Sequence, residues 1–431
     1  MSMSLPLDQL RIMSEEEVSN FSLDMIQEDS DTSYFLLVDL YYPKSKHRLH
    51  NSFPLAPYSK TITYDDLSFY SQTCLKNLTN KTNYKATKLV TSFEPRINYL
   101  CHALNLKFYV SQGMEIRTIH KIISFRQKKF LLPYIDLCSI ERSRAQTILY
   151  ANVFKNLANQ IFGKLIELVE NRMDMYCAMT KKQALKKVAD PRYKSFKICS
   201  NKMSLIFMHR KKVVLNMAYH VGYTILELGK LELYKLYYGQ LMPAFNNELA
   251  LLTTDTDSVL GFTFAKNDEE IIQKLWHILD TSNFSKTSKF YSIRHIKVPG
   301  YLKSELPEKV IWKVIALRAK CYIVMWTSEI DGSEGSKVTL KGTKKREHKN
   351  ATFQSFLECL LFIKNVTVTQ TSLRAKSHVI HLISQKKLSY SSMDDKRYYT
   401  CPSHSLAFNH YLIEEHKKTG ICFFCANKVI S

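Results

Sequence analysis

The sequence predicts an α+β protein with two or three lobes. Runs in which apolar or β-branched residues dominate over five to ten positions indicate strands, and a separate stretch with a 3.6-residue apolar period indicates a helix. The length of 431 residues is enough for a substantial core in more than one lobe. Glycine and proline are few for this length, so no long flexible linker is predicted.

The first third of the chain is predicted to contain several strands and a short helix. Residues 35–40, Phe-Leu-Leu-Val-Asp-Leu, predict a buried strand. Residues 88–135 have the pattern of a strand, a short helix and a second strand, and end in basic and aromatic residues that suit either a nucleic-acid surface or a solvated strand edge. His47 and His50 lie near no cysteine or carboxylate, so we expect a polar surface segment there rather than a metal site.

Residues 154–172 predict an amphipathic helix, because Phe154, Leu157, Ile161 and other apolar residues recur on one side. Lys155, Asn159 and Phe162 share a neighbouring stripe. A cation, an amide and a ring aligned in this way suit a triphosphate, a base-pair edge and a nucleotide face. An ordinary amphipathic helix with Lys155 in solvent explains the same spacing.

An acidic tip, Asp255-Thr256-Asp257-Ser258, lies between two strand-like runs and predicts a β-hairpin with a very short turn. Two carboxylates in one turn repel each other unless a cation lies between them. Their hard oxygens suit Mg²⁺ or Mn²⁺, which in pairs serve phosphoryl transfer. An Asx-turn on a surface hairpin is the alternative interpretation.

The last third of the chain is predicted to contain an amphipathic helix at 268–280, strands within 290–325, a loop at 331–335 and helices from Thr352 onward. The basic run 341–349, with Lys341, Lys344 and Lys345, suits a duplex backbone, a nuclear-import patch or a solvated loop. Asp394 and Asp395 abut Lys396 and Arg397, which predicts a salt-bridged turn rather than a metal site.

The formal net charge of +22 and the pI near 9.4 favour a polyanionic partner, nucleic acid ahead of a membrane surface. No apolar run is long enough to span a membrane and no signal pattern begins the sequence, so we expect an intracellular protein, with the nucleus as its compartment. Ten scattered cysteines suggest reduced thiols. Cys422 and Cys425 form a Cys-x-x-Cys that needs two more ligands to hold zinc; His404, His410 and His416 lie upstream, and we expect free thiols instead.

Three motifs together resemble those of family B DNA polymerases. Lys155-x-x-x-Asn159-x-x-Phe162-Gly163-Lys164 resembles the fingers helix, the Asp255 to Ser258 tip the palm carboxylate turn, and Arg318-Ala319-Lys320-Cys321-Tyr322 the Lys-x-Tyr element beside the primer end. The stretches 35–57, 124–145 and 387–399 are similar to the protein-primed polymerases of Maverick (Polinton) transposons and related viruses. This resemblance covers roughly residues 1–415.

The resemblance implies a polymerase right-hand fold, with an antiparallel palm sheet, helical fingers and thumb, and no exonuclease domain. It implies part of the palm with an insertion that contacts template or terminal protein at 1–150, the fingers helix at 151–175, and a second insertion with the return to the palm at 176–250. The palm with the acidic hairpin would be 251–325, and the thumb with the basic tail 326–431.

The resemblance also assigns roles. Asp255 and Asp257 would hold two Mg²⁺ or Mn²⁺ ions, while Lys155, Asn159 and Phe162 would bind the incoming deoxynucleoside triphosphate. Lys320 and Tyr322 would steady the primer. One metal would activate the primer 3′-hydroxyl and the second would neutralise the leaving pyrophosphate. Template-primer DNA and a priming terminal protein are the implied partners.

Two departures from the family pattern matter. Thr253 stands where relatives usually have a tyrosine, two residues before the first Asp of the turn. The start Met1-Ser2-Met3-Ser4-Leu5-Pro6 resembles the stretch that follows the first catalytic aspartate of relatives. We therefore expect little or no polymerase activity from this chain alone, and a non-catalytic DNA-binding remnant of a mobile-element polymerase is the alternative function.

Overall fold

The computed structural model describes residues 1–80, 82–255, 258–296, 298, 300–376 and 379–426. Its strands in chain order are β1 (Leu5–Ile12), β2 (Thr32–Tyr41), β3 (Tyr58–Thr63), β4 (Lys85–Val90), β5 (Arg96–His102), β6 (Glu115–Lys128), β7 (Met173–Ala178), β8 (Tyr193–Ser200), β9 (Met203–His209), β10 (Ala250–Asp255), β11 (Ser258–Phe262), β12 (Leu279–Asp280), β13 (Leu302–Lys303), β14 (Lys309–Arg318), β15 (Cys321–Ser328), β16 (Glu334–Leu340), β17 (Asn365–Lys376), β18 (Val379–Ser391), β19 (Tyr398–Cys401) and β20 (His404–Leu406).

The α-helices in chain order are α1 (Glu15–Ser19), α2 (His47–His50), α3 (Phe69–Thr79), α4 (Ala103–Ser111), α5 (Leu132–Arg144), α6 (Ile148–Leu165), α7 (Lys181–Val188), α8 (Tyr219–Tyr234), α9 (Met242–Ala244), α10 (Asp268–Leu275), α11 (Phe353–Phe362), α12 (Leu412–Thr419) and α13 (Phe423–Ala426). A π-helical segment, Lys235–Leu241, joins α8 to α9. Among the helices of the described residues, none is both long and apolar enough to cross a bilayer.

The largest core lies between a four-stranded antiparallel sheet and the helical run 219–244. The sheet has the order β1-β6-β2-β5, and the inward residues of β2 alternate as Leu36, Val38 and Leu40. These residues pack with Leu228 and Leu231 of α8. α4, α8 and the π-helical segment all contribute to this core. The sheet and these helices therefore form one packed layer pair.

A second core joins the region 58–90 to the C-terminal part of the chain. Ile62 and Leu75 pack with Leu406, Phe408 and neighbouring residues. Phe93 N–H donates to the Phe408 carbonyl at 2.8 Å, which fixes this contact at the backbone. Residues far apart in sequence therefore build one lobe.

A third core forms beneath the three-stranded sheet β14-β15-β16. Leu317, Ile323 and Leu340 pack against Phe356 of α11, and the Phe356 ring stacks on Tyr390 with centroids 4.5 Å apart. Beyond α11 the chain forms the long antiparallel hairpin β17–β18. The helices expected from Thr352 onward are thus wrong for β17 and β18, where four consecutive β-branched residues, Val366 to Thr369, favour a strand.

The smaller β7-β9-β8 sheet, with α7 packed on it, carries much of the basic segment between α6 and α8. Predominantly antiparallel sheets combined with helices confirm the mixed α and β character that the sequence predicts. The right-hand arrangement and the five domain boundaries stay predictions.

The two histidines of α2 correct another expectation. His47 and His50 are buried rather than part of a polar surface segment. His47 stacks on Phe93 at 4.0 Å, and His50 Nδ1 hydrogen-bonds the Tyr42 hydroxyl at 2.5 Å. Phe93, which follows β4, covers His47 from a separate part of the sequence, so the residues around the two histidines did not indicate this burial.

Candidate functional site: a hairpin tip and a lysine turn at one cleft

The acidic hairpin predicted from the sequence is present as β10 and β11. The strands pair antiparallel, and Asp255 lies opposite Ser258 at the end of the ladder. The Ser258 hydroxyl donates to the Asp255 carbonyl at 3.3 Å, which tightens the turn. Thr256 and Asp257 lie outside the described residues, so the predicted role of Asp257 stays a prediction.

Apolar residues hold the hairpin against the main core. Leu249, Leu251 and Val259 pack on that core, and β10 also contacts β14. Thr253 is buried, and within the described residues its hydroxyl has no hydrogen-bond partner. The hairpin is therefore anchored at its base while its tip remains accessible at Asp255, whose side chain is 35% exposed.

A second tight turn meets this tip. β14 and β15 are joined by Ala319 and Lys320, with Arg318 paired to Cys321. Lys320 has φ +60°, a left-handed conformation that is uncommon for residues other than glycine, asparagine and aspartate. Cys321 is buried, and burial raises the pKa of its thiol to about 11. The buried start of β15 thus fixes the turn that presents Lys320.

The two turns meet in an ion pair between Lys320 Nζ and Asp255 Oδ1 at 2.5 Å. Both side chains are more than a third exposed, so solvent screens the pair and its net contribution to folding is about 0–1 kcal/mol. The pair therefore contributes little to stability, and its main effect is to hold the Lys320 ammonium group beside the Asp255 carboxylate. It brings together two residues that the sequence places sixty-five positions apart.

Asp255 lines a cleft of about 1750 Å³, and Lys320 is not among the residues that line it. Typical small-molecule pockets are about 300–1000 Å³, so the cleft suits a larger ligand. Tyr322 lines it together with Asp255, while the primer contacts predicted for Lys320 and Tyr322 stay predictions. The lining has both charges, since Asp268 and Lys309 also contribute, and burial raises the pKa of the Asp268 carboxyl.

The exposed basic run begins beside the lysine turn. Lys341 N–H donates to the Lys320 carbonyl at 3.0 Å, which places these two predicted DNA contacts next to each other. Lys344 Nζ donates to the Thr371 carbonyl on β17, so its ammonium group already has a structural partner. Lys341 and Lys345 are exposed.

The helix predicted to bind nucleotide is α6, which begins earlier than the periodicity indicated and ends at Leu165. Lys155 and Asn159 are exposed and Phe162 is half-buried. None of these three lines the described cleft, so their predicted contact with nucleotide is not part of the geometry around Asp255. α6 packs on α5 and, near its end, on α8, where Gly222 lies against Ile166.

The Asp394-Asp395 turn is structural, as predicted, but its partners differ. Asp395 pairs with Lys88 at 3.2 Å and with the Tyr84 hydroxyl, while Asp394 accepts from Tyr399. Arg397 instead donates to the Asn51 carbonyl at 2.9 Å. The turn therefore holds β3–β4 and α2 to the C-terminal lobe.

A cysteine and histidine cluster includes one residue, Cys401, that the sequence analysis did not name as a candidate ligand. Cys401 and His404 lie beside Cys422 and Cys425, and their four ligand atoms are within 4.8 Å of one another. β19 and β20 bring His404, one of the candidate ligands, beside Cys422 and Cys425 together with Cys401, and the expectation of free thiols stays a prediction. The Cys-x-x-His spacing of Cys401-Pro402-Ser403-His404 was the available signal. His416 lies elsewhere, with Nδ1 near the Tyr398 hydroxyl.

No family model and no curated protein matches this chain. Its fold is similar to solved structures of Phi29 DNA polymerase. The ternary complex with primer-template DNA and incoming nucleotide substrates has a TM-score of 0.52 at 11% identity, and the orthorhombic crystal form has 0.50 at 12% identity. Each match covers 90% of this chain and 55% of the polymerase, so the chain spans about half the length of that protein.

Proposed function

We propose that the chain is a DNA-directed DNA polymerase that transfers nucleotides to a primer 3′-hydroxyl under the direction of a template. The observation that carries the proposal is the Asp255–Lys320 pair, which joins the carboxylate turn to the Lys-x-Tyr turn, and Asp255 and Tyr322 of these two turns line one cleft. The fold similarity to a polymerase supports it, and the excess of positive charge supports a nucleic-acid partner.

The residues at the hairpin tip suit a divalent cation. Asp255 offers a hard carboxylate oxygen at the cleft, and the ammonium group beside it indicates that this position attracts positive charge. We propose that Asp255 and Asp257 hold two Mg²⁺ or Mn²⁺ ions. Such ions polarise phosphoryl oxygens and activate a hydroxyl nucleophile.

The other residues position the substrates. Lys320 would exchange its contact with Asp255 for the primer strand, which Tyr322 would support from the adjacent strand. Lys155, Asn159 and Phe162 would bind the incoming deoxynucleoside triphosphate from α6, which requires α6 to approach the cleft when substrate binds. Holding the 3′-hydroxyl and the α-phosphate in line would supply a large part of the rate.

Lys341 and Lys345 would contact the duplex backbone beside the primer end. Both lysines are exposed, and Lys341 lies beside the turn that carries Lys320, since its N–H donates to the Lys320 carbonyl. Phosphate contacts of this type release counterions and position the duplex without reading its sequence.

The biological setting is part of the same proposal. The motifs favour replication of a Maverick-type transposon or viral genome, with a terminal protein as primer and the nucleus as compartment. The palm, fingers and thumb boundaries belong to this proposal as well.

DNA binding without chemistry is the second candidate. The exposed run 341–349 and the net charge of +22 provide a DNA-binding surface whether or not catalysis occurs. A remnant of a polymerase would keep this surface.

Primer extension by the purified full chain in Mg²⁺ or Mn²⁺, alongside a DNA-binding assay, separates the two candidates. The polymerase proposal predicts a slow, template-dependent product that both Asp255→Asn and Asp257→Asn remove while DNA binding persists. Glu334→Gln is the matched control, since Glu334 is exposed on β16 and outside the cleft lining. DNA binding with no product in either metal would favour the second candidate.

A further inference from the structure

The C-terminal lobe contains a group of side chains with metal-ligand chemistry that nucleotide transfer does not use. Two ligands come from a hairpin, where Cys401 pairs with His404 across the tight β19–β20 turn. The other two come from the start of α13, where one helical turn separates Cys422 from Cys425. Each segment thus supplies a pair with the two-residue spacing of zinc sites.

The separations between ligand atoms match a tetrahedral ion. Cys401 Sγ lies 3.8 Å from Cys425 Sγ, and His404 Nδ1 lies 3.5 Å from Cys425 Sγ and 3.2 Å from Cys401 Sγ. Zinc–sulfur bonds of about 2.3 Å in a tetrahedron place two sulfurs about 3.8 Å apart. A disulfide would require a sulfur–sulfur distance of about 2.05 Å, so these thiols approach one another without being bonded.

Neighbouring residues hold the ligands in place. The His404 ring stacks on Phe424 with centroids 5.3 Å apart and planes 20° apart. Cys422 is buried, and its Sγ lies 3.2 Å from the Thr400 hydroxyl. Because Phe424 also packs on the core that contains Leu406, the ligand geometry is tied to that core.

We propose that Cys401, His404, Cys422 and Cys425 bind one Zn²⁺ ion in a structural site. Three thiolates and an imidazole favour zinc over the hard cations proposed for the hairpin tip. Four protein ligands complete its coordination, leaving no position for a substrate.

The site would fasten the end of the chain to the lobe built around Ile62 and Leu75. β19 and β20 contribute Tyr398 and Leu406 to that core, and α12 contributes Leu412 and Ile413. α13 has only four residues in the described part of the chain, which is too short to be stable by itself. Zinc would therefore supply the ordering energy that this segment lacks.

The test measures zinc in the full chain, purified without a metal-affinity step, by elemental analysis. We expect one zinc per chain in the wild type and in Cys199→Ser, which removes an exposed cysteine of β8. We expect a small fraction of that content in Cys401→Ser and Cys425→Ser. Absence of zinc from wild type expressed in zinc-supplemented medium, or full zinc content in both ligand variants, would overturn the proposal.

A second measurement covers variants that fail to fold. Chelation of the wild type should raise hydrogen exchange in residues 398–426 and leave β2 and β6 protected. Unchanged exchange in 398–426 after complete zinc removal would overturn the structural role. A Cys401–Cys425 disulfide found by non-reducing peptide mapping of freshly purified, zinc-free protein would overturn the metal assignment itself.

Discussion

Lys320 Nζ lies 2.5 Å from Asp255 Oδ1, and Lys320 reaches that position from a backbone with φ +60°. An L-residue in the left-handed region costs about 1–2 kcal/mol, which asparagine and glycine tolerate better. A lysine held there, in a pair that contributes little stability, is expected where its charge serves a function.

Lys320→Asn should separate stability from function. The asparagine relieves backbone strain and the ion pair that it removes is weak, so the free energy of unfolding should stay the same or rise by up to about 1 kcal/mol. Nucleotide incorporation should fall. Urea denaturation and single-nucleotide extension test the two effects, with Lys364→Ala as the charge control. A loss of several kcal/mol would show that the pair is structural.

Gly222→Ala should disturb the packing of α8 against the C-terminal end of α6. A Cβ at Gly222 would lie 2.3 Å from Ile166 Cγ2, and overpacking of this kind costs about 1–3 kcal/mol. Gly229→Ala is the matched control on the same helix, because nothing lies within 4 Å of its added Cβ and alanine favours helix by up to about 1 kcal/mol. Thermal unfolding of both variants measures the difference. Equal melting temperatures would contradict the close packing of α8 on the end of α6.

Buried histidines should make the fold sensitive to acid. Burial lowers the pKa of His50 from 6.5 to about 4, so the unfolded chain takes up this proton first. Stability from His50 is then complete above pH 6.5 and is lost as the pH falls from 6.5 to about 4, on the order of 3 kcal/mol in all.

His50→Gln should therefore lose less stability than the wild type between pH 7 and pH 4.5, as measured by urea denaturation at both pH values. Comparing the change with pH in the two proteins isolates this histidine from every other titrating group. The same loss in both proteins would show that His50 does not contribute.

Lys345→Ala should reduce the salt dependence of DNA binding. Removing one lysine–phosphate interaction lowers the log–log slope of affinity against salt concentration by about 1. Fluorescence anisotropy with a primer-template duplex at several salt concentrations measures the slope, and Lys364→Ala, just beyond the end of α11, serves as the control. An unchanged slope would mean that 341–349 is a solvated loop.

The local patterns were sufficient to predict several elements but not their contacts. An apolar run predicted β2, alternation predicted the β10–β11 hairpin, and the 3.6-residue period predicted α6, because each signal lies within one segment. The contact between Asp255 and Lys320 depends on how β14 packs beside β10, and no local pattern contains that information.

The errors have the same origin. His47 and His50 are polar by composition, yet both are buried, His47 against Phe93 from beyond β4 and His50 against the nearby Tyr42. Cys401 was not predicted to join His404, Cys422 and Cys425, because the folding of β19 and β20 beside α13 brings it there. β17 and β18 pair as antiparallel strands, because cross-strand contacts stabilise their β-branched residues in a sheet.

The most direct test of the central claim is the binding of a non-incorporable deoxynucleoside triphosphate to the chain with primer-template DNA and Mn²⁺. Wild type should bind the nucleotide complementary to the template base at least about 100-fold more tightly than Asp255→Asn does, as preorganised charge at this site requires. Equal affinity in wild type and Asp255→Asn, with DNA bound normally in both, would contradict the assignment of the Asp255–Lys320 cleft as the nucleotidyl-transfer site.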